Sequence, residues 1–310
     1  MSQTKMRMSM YPGGFNELNV RGMPILNTYP GKAFWVDENG GGGSKGTYDH
    51  PLASIDAAMA QCVAGRGDVI MVKPGHIENI SAAGDLTCDV ANVSIVGLGN
   101  GDDQAKIIFD TADTADIDVT AANVTFQNLW INANYANVDG AIDVAAGGDY
   151  LTIRECRIDA AGSALDFEEF LNLADGAHHF HFLYNDVELL EGTDAESLVF
   201  AAAAVQGMRV IGNTIIMEAS ASIFDIDAAA MTTLGPVFRD NFMVNLTAAA
   251  DYCVEIDGTT VAYFCGERYC CAGAAIPVND GSASHFVDCH GSDGVNQSSL
   301  IFPKTATAWP

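Results

Sequence analysis

Carboxylates are the reactive groups this chain offers most freely, and several stand in pairs: Glu168 beside Glu169, Asp225 two before Asp227, Glu255 two before Asp257, with Asp166 nearby. A pair of carboxylates can divide general acid and general base between its members. Basic groups that could take a proton or hold an anion are few; beyond the first eighty residues the arginines are Arg154, Arg157, Arg209, Arg239 and Arg268. Arg154 and Arg239 directly follow an apolar anchor, so they are predicted to point outward and pair with acids stacked on that face, an arrangement worth little in water. In His178-His179-Phe180-His181, alternation puts His179 and His181 on one face. Two imidazoles could meet one ion, but no third ligand is set beside them, and an exposed strand is the reading taken. The run from Cys265 to Cys271 lacks the second spaced pair of a closed zinc site, and its alternation separates the sulfurs. No metal and no cofactor is expected, and no residue is assigned a catalytic role.

What must position these groups is a repeat. Eight times a large apolar residue opens a short phrase, at Ile95, Phe126, Ile153, Phe182, Val210, Phe238, Phe264 and Phe286, with spacings of 31, 27, 29, 28, 28, 26 and 22 residues. Such drift suits a coil whose strands stay in register while its corners absorb insertions. Between the anchors run Ile117-Asp118-Val119, Ile142-Asp143-Val144, Leu171-Asn172-Leu173, Leu198-Val199-Phe200, Phe224-Asp225-Ile226, Val254-Glu255-Ile256 and Ile276-Pro277-Val278. Period-two alternation turns the outer pair inward and the middle residue outward, so each rung carries two or more short strands. Asn185, Asn213 and Asn241 recur three residues after their anchors and are expected to form an internal amide stack, with Cys156 and Cys289 filling the same position. One helix is predicted, over residues 54–63, capped by Ser54.

The segment Phe34-Trp35-Val36-Asp37, the run from Gly46 to Ala58, and Gly67-Asp68-Val69-Ile70-Met71-Val72-Lys73-Pro74-Gly75 together resemble the N-terminal cap of the right-handed parallel β-helix proteins, the pectate-lyase-like superfamily. Of its members the chain looks most like the β-helix proteins of phage virions. The resemblance implies an all-β, right-handed, single-stranded parallel β-helix with a short N-terminal capping helix. The expected division is an extended arm over 1–33, a cap with its helix and first rung over 34–80, rungs over 81–303 and a tail over 304–310. Lyases and hydrolases of that superfamily work from acids on the outer face, so the resemblance admits a carbohydrate-active enzyme without demanding one.

Composition narrows the partners. Fourteen basic residues against forty acidic give a net charge of −26, which repels nucleic acid and anionic membrane surfaces. Outward acids such as Asp118 and Asp143 could serve calcium only where several oxygens converge; a solvated face is the reading taken. The opening residues lack an apolar secretory stretch, so synthesis in a host cytoplasm with eight free thiols is expected.

Residues 1–33 follow neither ladder. Isolated apolar residues there, Met8, Tyr11, Phe15, Leu18 and Ile25, are the candidates for binding a capsid. Alanine runs recurring once per rung suit tight corners, and also a ridge on which three copies could pack. The sequence therefore reads as a non-enzymatic virion protein of a bacteriophage. It would be a trimeric capsid decoration or cement protein held to the major capsid protein by its arm. The alternative is a polysaccharide lyase or glycosidase of tailspike type acting on a host surface glycan.

Overall fold

The computed structural model describes residues 19–20, 23–24, 31–39, 45–162, 165–190, 195–201, 205–226, 235–247, 252–256, 261–271, 278–280, 284–292 and 300–301. Residues 19–20 and 23–24 form a separate antiparallel pair; the others wind into a right-handed parallel β-helix whose three faces are sheets of ten, ten and eight strands, with Leu300–Ile301 added antiparallel at the end of the second. The first sheet starts at Ala33–Val36 and ends at His285–Val287; every anchor phrase of the sequence lies on it. The second starts at Ile77–Ile80, and the third, from Leu86–Cys88 to Val278–Asp280, carries the Ile-Asp-Val ladder. Between the sheet ends, each strand pairs with the strand one rung before and one rung after it. Thr125, Phe126 and Gln127 thus face Ser94, Ile95 and Val96 on one side and Thr152, Ile153 and Arg154 on the other.

The inward residues form one continuous apolar column, because a parallel register stacks like positions directly on one another. Ile95, Phe126, Ile153, Phe182, Val210, Phe238 and Phe264 follow rung by rung and are buried. Near the C-terminal end this becomes a run of rings, with Phe238 to Phe264 at 5.0 Å and Phe264 to Phe286 at 4.7 Å. Farther back, Ile153 and Val210 separate the rings of Phe126, Phe182 and Phe238.

The asparagine stack forms at the bend between the first and second sheets. Asn185 donates from its backbone and its amide to Asn213 Oδ1, Asn213 does the same to Asn241 Oδ1, and Asn241 continues to Glu267 Oε1. At the other end Cys156 N donates to Asn185 Oδ1. The sequence phrase placed the asparagines correctly but not the residue that ends the run, a carboxyl where an amide would be expected. One position before each of these, the chain turns through positive φ at Glu155, Tyr184, Gly212, Asp240 and Gly266. Gly212 lets the Tyr184 ring lie against it: a Cβ there would meet that ring at 2.5 Å.

Several expectations need correction. The helix spans Ile55–Met59, shorter than the 54–63 predicted, although Ser54 does cap it by accepting from Ala57 N at 3.1 Å. Leu198-Val199-Phe200 is one residue out of register: Val199 stands beside Leu171 and Phe224, and Phe200 points outward beside Asn172 and Asp225. At the last rung Val278 pairs with Val254, so Asn279 is the outward residue; Ile276 and Pro277 lie outside the described residues. Arg154 and Arg239 pair with their own neighbours, Glu155 at 2.7 Å and Asp240 at 3.5 Å, and not with acids from other rungs. The positive-φ bend swings those acids back toward the strand just left.

The cap is held by one buried polar chain. Glu38 N donates to His76 Nδ1, which leaves His76 Nε2 to donate to Glu78 Oε2 at 2.7 Å, and Glu78 in turn accepts from Ile55 N at the start of the helix. The Ser54 hydroxyl adds the next acceptor at this helix end. Ser54→Ala is expected to lower unfolding stability by about 1 kcal/mol, read as a lower denaturant midpoint at unchanged slope.

Candidate functional site

The outer face of the third sheet collects the acids. Its outward column runs Thr87, Asp118, Asp143, Asn172, Phe200, Asp225, Glu255 and Asn279, each beside the next. Alternation accounts for the column, since a residue between two buried ones must face out. Toward the C-terminal end the acids are already engaged: Glu255 accepts from Asn279 Nδ2 at 2.8 Å and from Ser222 Oγ at 3.3 Å. Toward the middle they crowd. Asp116 accepts from Gly84 N, and burial with the charge of Asp118 raises its carboxyl above the usual range.

Asn172 stands beside Asp143 in the strand register, and its amide lowers the carboxyls of both Asp143 and Glu169 against the effect of burial. Gly140 makes room for this contact. It sits at φ +68°, and a Cβ there would lie 2.6 Å from Asn172 Nδ2 and 2.7 Å from Asp143 Oδ1. Burial pushes Asp143 up, opposed by the Asn172 bond and assisted by Asp116, Asp118 and Asp139. Glu169 is pushed up to about 7, first by burial and then by the charges of Glu196, Asp139 and Glu168, against the Asn172 bond. A carboxyl in that range holds its proton through much of the neutral region. Glu196 and Asp139 themselves are exposed.

The same patch holds polar atoms that lack partners. Asp143 Oδ1, Asn172 Oδ1 and Ser197 Oγ are covered and make no hydrogen bond, and Ser197 stands directly beside Glu169 in the strand register. Buried polar groups are otherwise paired in folded chains, so orphans concentrated on neighbouring rungs mark a place where the fold is not the whole of the interaction.

The other sequence candidates do not assemble into a centre. Asp166 is buried and accepts from Asn137 N at 2.9 Å, a structural role; Asp227 and Asp257 lie outside the described residues. His179 turns out of the strand at φ 60° and stacks on Tyr150 at 4.5 Å, while His178 accepts from Gln206 N. His181 is half-buried beside Arg209, and its imidazole is lowered first by burial. The alternation that joined His179 to His181 fails because left-handed backbone breaks the period of two. Among the described residues no group of three or more His, Cys, Asp or Glu could hold a metal ion. Met8, Tyr11, Phe15, Leu18 and Ile25 also lie outside the described residues, as do most of the alanine runs.

Two further features were not legible in the sequence. On the second sheet Trp130 is sandwiched between Lys106, 4.0 Å from its ring, and Arg157, 4.2 Å away, and its indole N–H donates to Asp159 Oδ1. Both ring faces are covered, so this tryptophan is no platform for a sugar. A shallow hollow at the first bend is lined by Thr214, Asp240, Phe242 and Arg268.

No protein-family model matches this chain, and no curated protein matches it by sequence. Among solved structures, two of pectin methylesterase bound to a hexasaccharide align over 87% of this chain and 91% of theirs, at 14% identity and a TM-score of 0.49. A rhamnogalacturonan lyase aligns over 88% of this chain and 90% of its own, at 12% identity and a TM-score of 0.43. Against the non-enzymatic expectation of the sequence, these similar structures are described as an esterase and a lyase. At such identities the likeness is one of fold alone.

Proposed function

We propose that this chain is a carbohydrate-active enzyme that hydrolyses glycosidic bonds on the outer face of its third sheet, with Glu169 as the proton donor. The supporting observation is the place of Glu169, a carboxyl raised by burial that stands beside Ser197 in the strand register, near Asn172 and the exposed acids Glu196 and Asp139. Glycoside hydrolysis needs one carboxyl that keeps its proton and a second that is ionised. Glu169 supplies the first, and Glu196 or Asp139, whose charges act on it, supplies the second.

Hydrolysis is favoured over elimination by where the cations lie. A lyase acting on an acidic sugar wants a basic group beside the carboxylate it binds. Here Arg154, Arg209 and Arg239 belong to the first sheet, and Arg157 and Arg268 to the second. An acidic face also repels a uronate-rich chain, so the substrate class is a neutral polysaccharide. The proposed setting is a virion surface, where a trimer of acidic rods held by residues 1–33 would meet a host glycan. Mass spectrometry of particles would count its copies there.

Incubation with a panel of neutral and uronate-containing bacterial surface polysaccharides is the test. Reducing ends are expected from a neutral glycan, with no unsaturated product. Unsaturated ends from a uronate polymer would replace hydrolysis with elimination, and inertness across the panel would remove the enzyme reading.

A further inference from the structure

The eight cysteines are all present as thiols, but they are not equally isolated. Cys253, at the start of the third-sheet strand Val254–Ile256, has its sulfur 2.9 Å from the sulfur of Cys271, which ends the second-sheet strand Arg268–Cys271 one rung later. Both side chains are fully buried. Around them the backbone is well tied. Cys271 stands in register beside Asn245, whose side chain bonds Ala219 and Tyr252 in both directions across the corner. Burial, together with the neighbouring thiol, drives the Cys253 thiol well above its ordinary range, so its sulfur is no nucleophile in the closed fold.

We propose that Cys253 and Cys271 are a covalent modification site, forming a disulfide that staples two successive C-terminal rungs. The remaining approach is under 1 Å, since bonded sulfurs sit about 2.05 Å apart. The sites are 18 residues apart in sequence, so the link would close a loop of the length at which a cross-link restricts the unfolded chain appreciably. The oxidant is a low-molecular-weight disulfide. One cysteine thiolate attacks it, giving a mixed disulfide and releasing one small thiol. The other cysteine then displaces the second small thiol, so two protein thiols become one S–S bond while the reagent disulfide is reduced to two thiols. Because both sulfurs are enclosed, the exchange takes place while the C-terminal rungs are open, during folding or local unfolding.

The other cysteines differ in ways that make the pairing specific. Cys265 is exposed and Cys270 half-buried on an outer face, Cys289 lies near Glu267, and Cys156 is fixed against the carbonyls of Arg154 and Phe126. The full-length protein, incubated with glutathione disulfide at temperatures up to the onset of unfolding, then denatured without reductant and alkylated, tests the proposal. Two of the eight thiols should escape alkylation, the intact mass should fall by two hydrogen atoms, and peptide mapping should join residue 253 to residue 271. The oxidised protein should melt about 5 °C higher than the reduced one. Cys265→Ser should leave the cross-link in place, whereas Cys253→Ser or Cys271→Ser should abolish both the link and the oxidant-dependent rise. Alkylation of all eight thiols after oxidation, or a link through Cys265 or Cys270 in its place, would overturn it.

Discussion

Glu169→Gln is expected to lower glycan turnover by about 10²- to 10⁴-fold while leaving the fold and substrate affinity close to wild type. The amide keeps the shape of the carboxyl and its place beside Asn172 and Ser197, but it has no proton to give a leaving oxygen. The pH profile supplies the sharper readout. Glu169 is protonated below about 7, so wild-type kcat should fall as pH rises through that value, and the residual activity of the variant should lose that limb. Glu255→Gln is the control, because Glu255 is already bound by Ser222 and Asn279 and should leave turnover within a factor of about three. Equal losses in both variants, or an unchanged alkaline limb in Glu169→Gln, would take the proton-donor role from Glu169.

Glu267 governs a second large effect, on stability. It is fully buried at the end of the asparagine stack, accepting from the backbone and amide of Asn241, and burial pushes its carboxyl up to about 8 from 4.5. In the unfolded chain the acid ionises near its ordinary value. Between about 4.5 and about 8 the folded state therefore binds the proton that the unfolded state has lost, and stability falls as pH rises, by up to about 1.4 kcal/mol per pH unit. The stabilisation is complete below the unfolded pKa and is gone once pH has passed the folded one. Glu267→Gln puts a neutral amide at the same level, with an oxygen that still accepts from Asn241. Thermal melts from pH 5 to pH 9 should show the wild type losing several kcal/mol more than the variant, with the variant the more stable of the two at pH 9. Parallel curves would mean that Glu267 is ionised in the folded protein at neutral pH. The general repulsion of a chain with net charge −26 acts on both proteins alike, so the difference between them isolates this one carboxyl.

The coil was legible because its evidence is periodic. Anchors near 28 residues apart and an apolar–polar–apolar ladder can be satisfied together only if like positions stack, and the parallel register of Phe126 between Ile95 and Ile153 shows them doing so. The asparagine bend was legible for the same reason. The second sheet was not, since its outward residues change type from rung to rung, Trp130 and Asn132 on one strand and Arg157 and Asp159 on the next. The phrase Leu198-Val199-Phe200 misled by one residue because three apolar neighbours offer no alternation to choose between registers; the pairing of Phe200 with Asn172 and Asp225 chooses it.

For the site, the sequence alone offered carboxylates as candidates for an outer face, Glu168 and Glu169 among them. Only the tertiary structure decided which carboxyl holds a proton, because that depends on burial and on acids contributed by other rungs, Asp139 from one side and Glu196 from the other. The pairing of Cys253 with Cys271 has the same origin: nothing in their spacing brings them together, and one turn of the coil places their sulfurs in contact. Order along the chain sets what each rung can carry, whereas proton affinity and sulfur contact arise between rungs, from distances that winding creates.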